Sequence, residues 1–169
     1  MFKKRAKDLI VVLIIATVLA VAITTLDIKT VDEYYNEPLD KITAETKVTY
    51  LSVDCKTVLD NMEKLSDEAK KIIPQDGVIL EKQAYAIKKG DTALSILLRA
   101  LRHYKIPISV KGDSYVEGIN NLFEFDCGNR SGWLVKVNGK LINVAASKYS
   151  LNEGDVIEWR YTCEIGDVR

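Results

Sequence analysis

Eighteen consecutive residues without a charge, Leu9 to Leu26 (LIVVLIIATVLAVAITTL), constrain this chain more than any other feature. As a helix rising about 1.5 Å per residue, the run extends roughly 27 Å, enough for the hydrocarbon core of a bilayer. Helices of soluble domains carry a polar face, whereas the only polar side chains here are Thr17, Thr24 and Thr25. The sequence therefore predicts a membrane segment over 1–26. It is either a signal peptide cut near Ala20-Val21-Ala22 or an uncleaved transmembrane anchor, and the length of the run favours the anchor. Lys3, Lys4, Arg5 and Lys7 against Asp8 precede it. Basic residues stay in the cytoplasm, so the expected topology is a single-pass protein of the cell membrane with an extracytoplasmic C-terminal domain.

The whole chain carries 24 basic and 24 acidic side chains over 169 residues. That balance argues against a nucleic-acid partner, which calls for a basic surplus. Residues 27–47, charged and poor in apolar side chains, read as a linker. Residues 48–169 are long enough for one core of ordinary size.

Within that domain, Val48–Val53 and Val78–Ile87 read as strands, and Lys56–Ile73 as a helix with Ser66 as an internal N-cap and Pro74 as its stop. Asp91 or Thr92 caps an amphipathic helix whose stripe is Leu94, Leu97, Leu98, Leu101 and Tyr104. Beyond it, Ile106/Ile108/Val110, Phe123/Phe125, Trp133/Val135/Val137 and Ile157/Trp159/Tyr161 alternate as strands. Asn138-Gly139 is a hairpin signal, and 152–155 is a second turn. The expected fold class is α+β: a mixed, curved sheet on one main helix, preceded by a strand–helix unit.

The chemistry of common enzymes is missing. There is no phosphate-cradling glycine loop, no His-Glu-x-x-His and no Cys-x-x-Cys. A hydrolase of the Ser/Cys–His kind would have to be built on His103, the one histidine, which falls opposite the apolar stripe and is expected to face solvent. Glu124 with Asp126, two apart on a strand, could pair as acid and base, but solvated acids on a strand face are the commoner arrangement. No calcium-loop pattern occurs. The expectation is a protein that is not an enzyme and holds no metal. Three cysteines, Cys55, Cys127 and Cys163, allow at most one bridge in an exported domain. Three free thiols, or a bridge from Cys55 to either partner, are equally open on spacing.

From Cys55 to the C-terminus the chain resembles the transcobalamin-like C-terminal domain family of bacterial surface proteins. The residues that carry the resemblance are CKTVLDNMEKL at 55–65, GVIL at 77–80, YVEGINNLFEFDCGNRSGWLVKVNG at 115–139 and KYSLNEGDVIEWRYTCEIG at 148–166. The resemblance implies a β-grasp domain of the soluble-ligand-binding type, related to the small domain that closes over cobalamin in transcobalamin and intrinsic factor. It also implies a disulfide between Cys127 and Cys163 with Cys55 left as a thiol. The chain departs from the family pattern at Leu134-Val135, where relatives often have Met-Tyr, and at Leu101 and Ala146, where they often have cysteines.

Bottom-up, a loop rimmed by Trp133 beside Asn129, Arg130 and Ser131 is a plausible ligand platform, and Gly132 is expected to permit close backbone approach. Tyr149 completes the expected contact set, and Trp159 is expected in the core. The functional expectation is a membrane-anchored extracytoplasmic module for a soluble ligand such as cobalamin or another corrinoid. The alternative is a protein–protein or envelope-assembly module at the cell surface.

Overall fold

The computed structural model describes residues 12–21 and 39–168, and the chain divides into two units, Met1–Asn36 and Glu37–Arg169. In the first unit, residues 12–21 form helix α1 with exposed side chains. Thr17 Oγ1 donates back to the carbonyls of Leu13 and Ile14 at 3.0 and 2.8 Å, so its hydroxyl adds no unsatisfied polar group to the apolar helix. Among the described residues, no helix is long and apolar enough to cross a membrane. The expected span Leu9–Leu26 runs beyond the described residues 12–21 at both ends.

The second unit is α+β. Its elements are β1 (Val48–Asp54), a 3-10 segment (Lys56–Lys64), α2 (Asp67–Lys70), β2 (Val78–Ala86), α3 (Ala93–His103), β3 (Ile108–Lys111), β4 (Tyr115–Ile119), β5 (Leu122–Phe123), β6 (Gly132–Val137), β7 (Lys140–Leu141) and β8 (Val156–Thr162). Five of the strands form a mixed sheet in the order β2-β1-β8-β6-β7, and β3-β4-β5 form a second sheet. The first and last strands pair in parallel, Tyr50 opposite Val156 through Asp54 opposite Arg160. Leu39 packs against the core and Asp40 pairs with Lys88 at 3.0 Å, so the end of the segment read as a linker touches the domain.

Helix α3 forms where the sequence pattern puts it. Thr92 Oγ1 accepts from Ser95 N while Ser95 Oγ accepts from Thr92 N, a reciprocal cap that satisfies two otherwise orphaned donors. Leu94, Leu97 and Leu101 are buried, and Ile96 and Ala100 widen the stripe. They meet Leu51, Val53, Ile157, Trp159 and Val137 on one face of the sheet. Tyr104, expected on the stripe, instead ends the helix at 41% exposure and donates its hydroxyl to Gln83 at 2.9 Å. His103 is half-buried rather than exposed, and Tyr104 turns its ring edge-on to the imidazole at 4.8 Å.

Two further sequence expectations change. The helix over Lys56–Ile73 is a 3-10 segment broken at Asn61 and followed by a single α-turn. Asn61 Nδ2 donates to the Thr57 carbonyl at 2.8 Å, competing with the backbone ladder, while Ser66 caps α2 through Ala69 N as expected. Phe123 and Phe125 do not share a strand. β5 stops at Phe123, and Phe125 takes a left-handed conformation with φ 71°, so Glu124 and Asp126 do not line one strand face.

If α3 packs as described, Leu97→Ala should cost about 3 kcal/mol through the cavity it leaves. Thr92→Ala should cost about 1 kcal/mol through the lost cap. Denaturant unfolding of both variants measures the two, and equal losses would contradict the packing.

Candidate functional site

The loop joining β5 to β6 is built on strand β8. Tyr161, fully buried, sends its hydroxyl to the Phe123 carbonyl at 2.6 Å and lies 2.9 Å from Ser131 Oγ. Ser131 in turn donates to the Gly128 carbonyl at 2.8 Å and accepts from Cys127 N at 3.1 Å. One phenol and one serine thus hold both ends of the loop, and burial pushes the Tyr161 phenol up to about 12. Cys127 and Cys163 are bridged, which ties the loop covalently to the end of β8, while Cys55 is a buried free thiol. Phe125 N donates to the Ser131 carbonyl at 3.1 Å, and Gly128 N to the Phe125 carbonyl at 3.2 Å. Asp126 caps Phe123 N at 2.7 Å.

This bracing presents an apolar and cationic surface. Phe125 is 60% and Phe123 is 42% exposed, with Asn129 and Arg130 exposed beside them in the chain. The Phe123 ring lies across β4. A Cβ placed on Gly118 would come within 2.6 Å of it, so only glycine fits under the ring. Tyr115, 52% exposed, donates its hydroxyl to Glu124 and extends the surface along β4.

The residues singled out from sequence separate into three groups. Asn129 and Arg130 stand at the loop's surface. Ser131, Gly132 and Trp133 lie within the scaffold. Ser131 is buried; Trp133 is half-buried, donates Nε1 to the Leu122 carbonyl at 2.9 Å and packs edge-on against Tyr161 at 5.2 Å. A Cβ on Gly132 would meet only Glu124 Cβ at an ordinary 3.6 Å, so close approach is not what that glycine supplies. Tyr149 lies apart from the loop: its carbonyl accepts from Ala93 N at 3.1 Å and Ser150 bridges Thr92, at the N-terminus of α3. That terminus adjoins the start of β8, whereas the loop adjoins its end, where Gly132 pairs with Thr162. Trp159 is in the core, as expected. The sequence pattern places Phe125 in a strand rather than at a site, because its apparent alternation with Phe123 hides the left-handed turn at Phe125 itself. Among the described residues, no group of three or more His, Cys, Asp or Glu side chains converges to hold a metal ion.

A family model described as "Domain of unknown function (DUF4430)" matches residues 90–163. That stretch runs from the turn before α3 through the bridge to Cys163. Among solved structures, haptocorrin in complex with Cbi aligns at 14% identity and a TM-score of 0.48, covering 73% of this chain and 26% of that one. A Ruminococcus gnavus protein whose description reads "putative metal binding protein" aligns at 13% identity and a TM-score of 0.39, covering 69% of this chain and 96% of that one. This chain therefore spans about a quarter of the haptocorrin chain. No curated protein matches it.

The bridge and the thiol make separate predictions. Replacing Cys127 and Cys163 by serine opens a loop with a sequence separation of 36, and the chain-entropy relation gives a loss of about 4 kcal/mol, read by denaturant unfolding. Burial first, then the negative charges of Asp54 and Asp76, push the Cys55 thiol up to about 12. Its contribution to stability is full below the unfolded thiol's value of about 8.5 and declines as pH rises toward the folded value. Iodoacetamide at about pH 8.5 should leave Cys55 unmodified in the native protein and alkylate it in denaturant, as mass spectrometry would read. Rapid native alkylation would contradict the burial.

Proposed function

We propose that the chain is a membrane-tethered, extracytoplasmic binding module without catalytic activity. Its binding surface is the loop from Phe123 to Trp133, carried on a β-grasp-like scaffold. The observation that supports this most is Phe125, a large apolar side chain exposed to water on a left-handed backbone. A conformation of that kind costs of order 1–3 kcal/mol and persists only where its surroundings over-determine it. Here hydrogen bonds to both neighbouring turns and the Cys127–Cys163 bridge do so. Neither packing nor solubility gains from an aromatic ring held out into solvent, whereas binding does.

The surface chemistry favours a flat ligand with an apolar face and a polar edge. Phe123 and Phe125 can stack on the face, while Asn129 offers donors and an acceptor and Arg130 a planar fork of donors to the edge. A corrinoid, a broad macrocycle fringed with amides, has that character and is the first ligand to test. A protein partner is the second reading, and the apolar surface of Tyr115, Phe123 and Phe125 favours it.

The full-length protein titrated with cobalamin and cobinamide should shift the corrinoid absorbance saturably. Phe125→Ala and Arg130→Ala should each weaken binding about tenfold, the equivalent of 1.4 kcal/mol, while Tyr149→Phe should leave it unchanged. Unchanged binding in both loop variants would remove the loop from the site, and no spectral change with either corrinoid would overturn the corrinoid reading.

A further inference from the structure

A concave surface lies on the sheet face away from α3. It is a cleft of about 230 Å³ whose lining includes Ser52 and Asp54 of β1, Glu158 and Arg160 of β8, and residues of β2. Its shape comes from an irregularity in the pairing of β1 with β2. Leu51 faces Gln83 and Val53 faces Leu80, so β2 uses one more residue than β1 over that stretch. An extra residue in one strand breaks the alternation of side chains. Glu81 and Lys82, consecutive in sequence, consequently both stay exposed and both line the cleft. An acid and a base thus share one wall that a regular strand would divide between two faces.

The charges of the cleft balance in sign, but only part of them is neutralised in a pair. Asp54 and Arg160 form an ion pair at 3.3 Å. Among the described residues, no ion pair engages Glu81, Glu158, Lys56 or Lys82. The Lys82 ammonium is held 5.4 Å from the centroid of the Tyr50 ring, which steers it along the same sheet face. Half-buried Val78 supplies a small apolar part of the lining, while Leu80 borders the cleft with its side chain buried in the core beneath α3. We propose that this cleft binds a small zwitterion of the α-amino-acid class with an apolar side chain. Its carboxylate meets Lys82 and Lys56, its ammonium meets Glu158 and Glu81, and its side chain rests on Val78. A lone anion or a lone cation would leave one pair of like charges uncompensated, and only a ligand bearing both signs engages the two. The volume lies below the range of drug-sized pockets, which suits a molecule of this size. The site is independent of the Phe123–Trp133 loop.

Calorimetric titration of the full-length protein with L-valine tests this. Isovalerate serves as the analogue lacking the ammonium and isobutylamine as the analogue lacking the carboxylate. Saturable binding of L-valine is expected, with both analogues at least about tenfold weaker. Lys82→Gln and Glu158→Gln, which keep side-chain size, should each weaken L-valine about tenfold with little change in the melting temperature. A corrinoid titration of the same two variants should match the parent protein. Absence of saturable binding by about 10 mM L-valine, equal affinity for either singly charged analogue, or unchanged binding in both variants would overturn the proposal.

Discussion

The last strand of this chain occupies the middle of the sheet, and most of the domain is organised by that placement. β8 pairs with β1 on one side and β6 on the other, so the sheet closes only after residues about a hundred positions apart in sequence have met. Pairing of such separated strands is costly in chain entropy and is offset only by what it buries. The burial is concentrated on β8 itself. Ile157 and Trp159 enter the larger apolar cluster beneath α3, and Tyr161 and Cys163 enter a smaller one with Cys55, Val58, Leu65, Leu122 and Cys127. One strand thus joins two cores, and Trp133, packed against both clusters, bridges them from the neighbouring strand.

The same strand explains why the loop after β5 can be conformationally unusual and still ordered. A left-handed phenylalanine in a free loop would relax to a commoner backbone. Here the relaxation would break contacts of Ser131 and Tyr161 that are buried and hydrogen-bonded. A buried hydroxyl left without its partner costs more than the bond itself contributes. The local strain is therefore held by distant burial, and it is held at the end of β8 where the bridge also sits.

Much of the scaffold was legible in the sequence because its signals are local. The Thr92 cap, the stripe from Leu94 to Leu101 and the Asn138-Gly139 turn depend on neighbours within a few residues, and each occurs where the pattern puts it. The segment after Cys55 was misread because spacings of three and four suit a 3-10 turn and an α-helix alike, and Asn61 decides between them through a side-chain bond. Phe125 was misread because apolar alternation is also what a strand interrupted by a turn produces. Ser131 illustrates a third kind of miss. A polar residue in a polar loop suggests a surface contact, yet its hydroxyl meets Tyr161, thirty residues away. Nothing within the loop marks it as interior.

The two ends of β8 are secured by different means, and the difference matters for what each can do. At its start, Asp155 accepts from Asn138 Nδ2 and from Asn152 N, each at 2.8 Å. Its carbonyl accepts from Thr49 Oγ1 at 2.7 Å and from Tyr50 N at 2.8 Å. Those bonds join both turns to β1, and Asp155 and Thr49 are themselves buried. At its end, the strand relies on the bridge, the Tyr161 phenol and a turn in which Asp167 accepts from Cys163 N and Glu164 N at 2.8 and 2.9 Å. Every group in the first arrangement is consumed in closing the sheet. The second leaves the side chains of Phe125, Asn129 and Arg130 outside the network, so the end of β8 can carry an outward surface without loosening the fold. Loops held by a rigid scaffold but not used up by it are where binding residues can vary freely, and under the proposed function the two ends of one strand would divide the labour between folding and recognition.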